Sequence, residues 1–202
     1  MSQTPPHVLL IAGSTSRLSS TRDLLKLIGG RLAAGGATAD LLDLSEEQLP
    51  HFNPDSTYTA PHYAPLRARV ERADVFLIGT PDYHGTMSSA AKNFLDHFWK
   101  EYAGKLFATV VSSHDKGLTV ADHVRTVARQ CYAWALPYAV TFVEKADMKD
   151  GQIASDVLKE RVEMLVRDLR VYGELLARQR HADLAGTDPG FMARLRPKPG
   201  TP

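Results

Sequence analysis

The run His7-Val8-Leu9-Leu10-Ile11-Ala12 passes directly into Gly13-Ser14-Thr15-Ser16-Arg17-Leu18-Ser19-Ser20-Thr21. An apolar run ended by glycine reads as a strand buried on both faces. The hydroxyl-rich turn after it opens a helix, which gathers backbone N–H groups where an anion is favoured. Ser14, Ser16, Ser19, Ser20 and Thr21 offer neutral donors to phosphate oxygens, and Arg17 offers a planar fork. One monophosphate suits this loop better than a triphosphate. It lacks the Lys-Ser/Thr pair of a nucleotide-triphosphate loop and the later glycines of a dinucleotide fingerprint. A plainer role is open to the same residues, with Gly13 making the turn and Ser19 or Ser20 capping the helix.

Beyond this loop the chain reads as strand and helix, five times over in all. Leu24, Leu25, Ile28 and Leu32 recur at helical spacing before Gly35-Gly36, and Thr38 to Leu44 reads as a short strand near a sheet edge. Pro50, Pro54, Pro61 and Pro65 make 45–65 a long loop, functional or mobile, whose His51 and His62 lack the company of metal ligands. Leu66 to Ala73 is a short helix, and Asp74 to Thr80 is a second buried strand, followed by the loop Pro81 to Met87. Ala90, Ala91, Phe94, Leu95, Phe98 and Tyr102 mark a helix capped by Ser88 or Ser89. Lys105 to Ser113 is a strand that ends in Ser112-Ser113-His114-Asp115-Lys116-Gly117. Val120, Val124, Val127, Cys131 and Trp134 line the next helix, Tyr138 to Val143 is the last strand, and Leu158 to Leu176 carries the closing helix. Such alternation packs as a parallel sheet with helices on both faces, and ligands bind beyond the carboxyl ends of its strands. Three polar loops, beginning at Gly13, Pro81 and Ser112, collect there.

Composition narrows the class. With 202 residues and 44% of them apolar, the chain suits one domain, expected over 1–180, with 181–202 a flexible or partner-wrapping tail. A net charge of +1 from 24 basic and 23 acidic residues argues against nucleic acid or an anionic membrane surface. The single Cys131, in apolar surroundings, reads as a buried hydrophobe of a reducing compartment. The N-terminal segment lacks a basic n-region and a long apolar run, so the expected location is the cytoplasm. No Ser-His-Asp set, working carboxylate pair or metal-ligand spacing is evident, so no catalytic or metal-binding residue is assigned. An enzyme without such groups needs a cofactor that carries the reaction.

Three blocks together resemble the NADPH-dependent FMN reductases of the flavodoxin-like superfamily. They are Gly13-Ser14 with Arg17 and Ser19, Thr80-Pro81-Asp82-Tyr83-His84-Gly85-Thr86, and Ala91-Lys92-Asn93-Phe94-Leu95-Asp96. The resemblance implies a doubly wound five-stranded parallel sheet of order 2-1-3-4-5. It places Ser14, Arg17, Ser19 and Thr21 around the FMN phosphate, with Ser16 sharing or taking the arginine's role, and the loop's own hydroxyl chemistry adds Ser20 to this cofactor-binding set. Pro81, Asp82, Tyr83, His84 and Gly85 fall under and beside the flavin ring, and Ser112, Ser113, His114 and Gly117 fall in the loop closing over its pyrimidine end. Two departures stand out: the arginine falls one position later than is common, and the third loop lacks the usual glycines.

The activity implied is an FMN-dependent NAD(P)H oxidoreductase. Hydride would pass from NADPH or NADH to flavin N5, and electrons would leave from the same face to a flavin, quinone, azo compound or metal ion. A homodimer or homotetramer is expected, with Trp99, off the helical stripe, at an interface. Lys92 and Asp96, four residues apart on one helix, read as an ion pair. The alternatives are a non-enzymatic electron carrier, against which the lack of acidic charge counts, and a flavin-free scaffold.

Overall fold

A computed structural model of the chain describes residues 4–196. In chain order the elements are β1 (His7–Ala12), α1 (Ser20–Ala34), β2 (Thr38–Asp43), α2 (Tyr63–Arg72), β3 (Val75–Tyr83), β4 (Thr86–Met87), α3 (Ser89–Asp96) and β5 (Leu106–Ser112). There follow α4 (Leu118–Gln130), β6 (Trp134–Ala135), β7 (Val140–Phe142), α5 (Glu144–Asp147), β8 (Met148–Lys149), β9 (Gln152–Ile153) and α6 (Asp156–Ala185).

The sheet runs β2-β1-β3-β5 in parallel, and its fifth place is shared by two short strands. β6 lies against Leu106–Phe107 at the start of β5, and β7 against Val110–Ser112 at its end. This is the expected flavodoxin-like order, with β2 at the edge. Side chains alternate across the strands. Leu10, Leu77 and Val110 pack with Leu24, Leu25 and Ile28 of α1 and Leu165 and Leu169 of α6. Leu9, Ile11, Phe76, Ile78 and Phe107 pack on the opposite face with Val70 of α2, Phe94 of α3 and Val124 of α4. Both faces are thus covered, which is why the strands read as unbroken apolar runs.

Four boundaries differ from the sequence reading. Helix α2 begins at Tyr63 and takes Pro65 into its first turn, where the missing N–H leaves no bond unmade. Helix α3 stops at Asp96, and Tyr102 instead belongs to a 3-10 turn over Lys100–Tyr102. Trp134 is not on α4. That helix ends at Gln130 with Cys131 as its C-cap, Tyr132 turns left-handed at φ 57°, and Trp134 is extended, its N–H donating to the Lys105 carbonyl at 2.9 Å. Finally, α6 runs through position 180 to Ala185, and the chain then turns so that Met192 is buried beside Gly104. The rest of the expected tail, 197–202, lies outside the described residues.

Polar groups close the ends of the layers. Lys105, 2% exposed, donates from Nζ to the Val70 and Glu71 carbonyls at 2.8 and 2.9 Å, holding the C-terminus of α2. Asn93 of α3 clamps the proline-rich segment: its Oδ1 accepts from Phe52 N at 2.8 Å, and its Nδ2 donates to the Pro50 carbonyl at 3.0 Å. Lys92 and Asp96 form the expected intrahelical pair. Cys131 is buried, and that burial pushes its thiol up to about 11. Among the described residues, no helix is long and apolar enough to cross a membrane.

Candidate functional site: a cofactor cleft at the carboxyl edge of the sheet

The first loop leaves β1 at a point where only glycine fits. Gly13 N–H donates to the Gly79 carbonyl at 2.8 Å, and a Cβ on Gly13 would stand 2.8 Å from both Ala91 Cβ and that carbonyl oxygen. Ser88, the N-cap of α3, joins this junction to the next strand. Its hydroxyl donates to the Gly13 carbonyl and accepts from Ala91 N at 3.1 Å, while its own N–H donates to Thr80 Oγ1 at 2.9 Å. Ser19 caps α1 by accepting from Arg22 N at 3.2 Å, so the plain role of the serine-rich stretch is real for that residue.

Arg22, which the sequence reading passed over, holds the loop from beneath. Its guanidinium donates to the carbonyls of Ser16 at 2.9 Å and Arg17 at 3.2 Å and to Ser45 Oγ at 2.6 Å, and it pairs with the Asp43 carboxylate. Burial works to raise the Asp43 pKa, but two hydrogen bonds from Ser45 and the Arg22 guanidinium outweigh it and hold the carboxyl below its ordinary value. The available signal was a cation in the first turn of a helix, where the dipole favours an acid.

The second loop is mostly strand. β3 continues through Pro81, Asp82 and Tyr83, pairs Pro81 with Ser112 in register, and turns back through His84 and Gly85 into β4. Both turn residues have positive φ, 56° and 79°, the two-residue hairpin turn whose twist suits the flanking strands. Asp82 ties this hairpin to the third loop: Oδ1 accepts from Gly85 N at 2.8 Å and Oδ2 from Ser113 Oγ at 2.9 Å. Gly117 has φ 60° and lies against Val111, so its part is to start α4 in tight quarters.

These loops enclose a cleft of about 270 Å³. Ser14, Ser16, Ser19, Ser20 and Thr21 of the first loop line it, with Pro81, Asp82 and Tyr83 of the second and Ser112, Ser113 and His114 of the third. Of the residues expected around a ligand, Arg17, His84, Gly85 and Gly117 do not line it. Arg17 is exposed on the loop tip, and His84 opens instead on a neighbouring hollow of about 700 Å³ with Met87, Lys92, His123 and Val127. Tyr83 borders both spaces. Leu18 and Glu144 also line the cleft and were missed. Glu144 follows the last strand of the sheet, and its position at that carboxyl edge was the signal available.

The residues fit a flavin mononucleotide. Hydroxyl groups at the start of α1 would meet a phosphate together with the positive end of a helix dipole, and the half-exposed Tyr83 at the end of a strand offers a surface for a planar ring. Fold and cleft together define a flavodoxin-like α/β protein with a polar cleft at the carboxyl edge of its sheet. Residues 6–147 match the family of NADPH-dependent FMN reductases, and the chain belongs to that family. It is an oxidoreductase with FMN as cofactor and NADPH as co-substrate.

Among relatives, it is 28% identical over 160 residues to the FMN-dependent NADPH-azoreductase of Staphylococcus haemolyticus, spanning 73% of this chain and 84% of that one. It is 27% identical over 169 residues to the NADPH azoreductase of a Bacillus species, spanning 82% and 91%. Among solved structures, the NAD(P)H:(acceptor) oxidoreductase FerB of Paracoccus denitrificans superposes with a TM-score of 0.70 at 22% identity, covering 84% of this chain and 98% of that one. The apo form of the NADH:FMN oxidoreductase EmoB gives 0.69 at 16% identity, covering 83% and 89%.

Proposed function

We propose that the chain reduces a small planar acceptor, with an azo compound, quinone or free flavin as the chemical class, at the expense of NAD(P)H. Bound in the cleft, FMN supplies hydride acceptance from nicotinamide and electron donation to the second substrate. The protein's part is to bind, orient and shield. Ser14, Ser16, Ser20 and Thr21 would receive the phosphate oxygens. Pro81 and Tyr83 would carry the ring, and the Asp82 bonds to Gly85 and Ser113 would keep the two ring-side loops at fixed spacing.

The observation that carries this reading is the join at Tyr83 between the polar cleft and the larger hollow. Ligands in such sheets bind at this edge, and a hollow with a mostly apolar wall beside the ring suits flat, weakly polar acceptors. The azoreductase relatives support the azo class. Exposed aromatics Trp99, Tyr132 and Trp134 support self-association as a homodimer or homotetramer, which sedimentation would test. The single buried cysteine supports a reducing, cytoplasmic setting.

The test is steady-state oxidation of NADPH and of NADH by FMN-loaded protein with an azo dye, a quinone or free FMN. Dye decolourised in step with NADPH consumption is the expected result. FMN-loaded protein that oxidises neither nicotinamide with any acceptor would overturn the proposal.

A further inference from the structure

At the start of α1 the cleft holds a hydrogen bond between a hydroxyl and a carboxylate. Ser20 Oγ donates to Glu144 Oε2 at 3.1 Å, and both residues line the cleft. Ser20 is the first residue of α1, and Glu144 begins α5 just beyond β7. The carboxylate therefore stands at the positive end of a helix dipole, the same place that attracts a phosphate. No Lys or Arg is among the described residues lining the cleft, whose charged members are Asp82 and Glu144. Both oxygens of Asp82 are engaged by Gly85 and Ser113. Arg22 is turned to Asp43, Ser45 and loop carbonyls. A dianionic tail entering here meets hydroxyls and a helix terminus, no side-chain cation, and one like charge already seated on Ser20.

We propose that Glu144 is a specificity-determining residue for the flavin tail. Its carboxylate occupies Ser20 and the α1 N-terminus in place of a phosphate, and so it narrows the preference for FMN over unphosphorylated riboflavin. The inference rests on the reading above that the flavin tail lies at this loop. Phosphate must break the Ser20–Glu144 bond and work against the carboxylate's charge. A ribityl chain ending in a hydroxyl carries no charge to be repelled and can donate to the same carboxylate.

The experiment is fluorescence titration of flavin-free protein with FMN and with riboflavin, at low and high salt, for wild type, Glu144→Gln, Glu144→Ala and Ser14→Ala. Glu144→Gln and Glu144→Ala are expected to bind FMN about fivefold tighter at low salt, the scale of a screened carboxylate–phosphate repulsion in high dielectric. Riboflavin affinity should not tighten, and the gain for FMN should shrink at high salt. An FMN-to-riboflavin ratio unchanged in both Glu144 variants, or a gain indifferent to salt, would overturn the role of Glu144 while leaving the tail assignment standing. Ser14→Ala tests that assignment separately: FMN affinity should fall while riboflavin affinity holds. FMN binding untouched by Ser14→Ala, or absent from wild type, would remove the tail from this loop and the proposal with it.

Discussion

Arg22 and Asp43 form a buried ion pair beneath the first loop, their side chains 9% and 8% exposed, so the loop proposed to receive the cofactor phosphate rests on a charge pair belonging to the fold. Removing one partner strands the other. Asp43→Asn is expected to lower stability by about 3 kcal/mol, the scale for breaking a buried pair, and urea unfolding measures it. The Asp43 carboxyl sits below its ordinary 3.8 in the folded protein, so its contribution is complete above that pH and is lost as pH falls further. Asp43→Asn should flatten the acid limb of stability against pH.

The Asp82–Ser113 hydrogen bond, 2.9 Å, is the strap between the second and third loops. Ser113→Ala should cost about 1.5 to 3 kcal/mol, as expected for a hydrogen bond to a charged group. It should also weaken FMN binding by loosening the ring side of the cleft. Ser112→Ala, whose hydroxyl makes no such bond, serves as the comparison.

Gly13 has no room for a side chain. Gly13→Ala would press a methyl group against Ala91 Cβ and the Gly79 carbonyl, both 2.8 Å from its position. One of these is backbone, so relief requires the loop to shift. The expected loss is about 2 kcal/mol from overpacking, with a fall in FMN affinity, read by denaturant unfolding and flavin fluorescence.

His97 should give the fold a stability that falls below neutral pH. It is fully buried, its Nδ1 stands 2.7 Å from the Asn93 carbonyl and its Nε2 3.4 Å from His62 Nε2. Burial lowers its pKa first, against the Asn93 carbonyl that raises it. His62 lowers it further and Asp96 raises it. A folded pKa below the ordinary 6.5 means that the unfolded chain takes up the proton first. Stability should then fall as pH drops below about 6.5. His97→Gln should show a shallower fall in melting temperature over the same window.

What the sequence disclosed follows from the reach of each signal. The strands with Leu10, Leu77 and Val110 were legible because both faces are buried, and the helices because their apolar residues recur at turn spacing. The three loops could be gathered on one edge because parallel order dictates it. The His84-Gly85 hairpin was not legible, since a left-handed histidine carries a weaker mark than Asn-Gly. Arg22 stayed hidden because its partner Asp43 lies on the next strand, and the meaning of a cation in that turn depends on the pairing. Trp134 kept the helical spacing of α4 while the backbone had already reversed at Tyr132, a case of tertiary context overriding period.

The most direct measurement is the crystal structure of the protein grown with excess FMN. The phosphate should lie within hydrogen-bond reach of the Ser14, Ser16 and Ser20 hydroxyls, with the flavin ring over Pro81 and Tyr83. FMN bound elsewhere, or turned so that its ring lies at Ser14 and its phosphate at Tyr83, would contradict the cofactor site proposed for this chain.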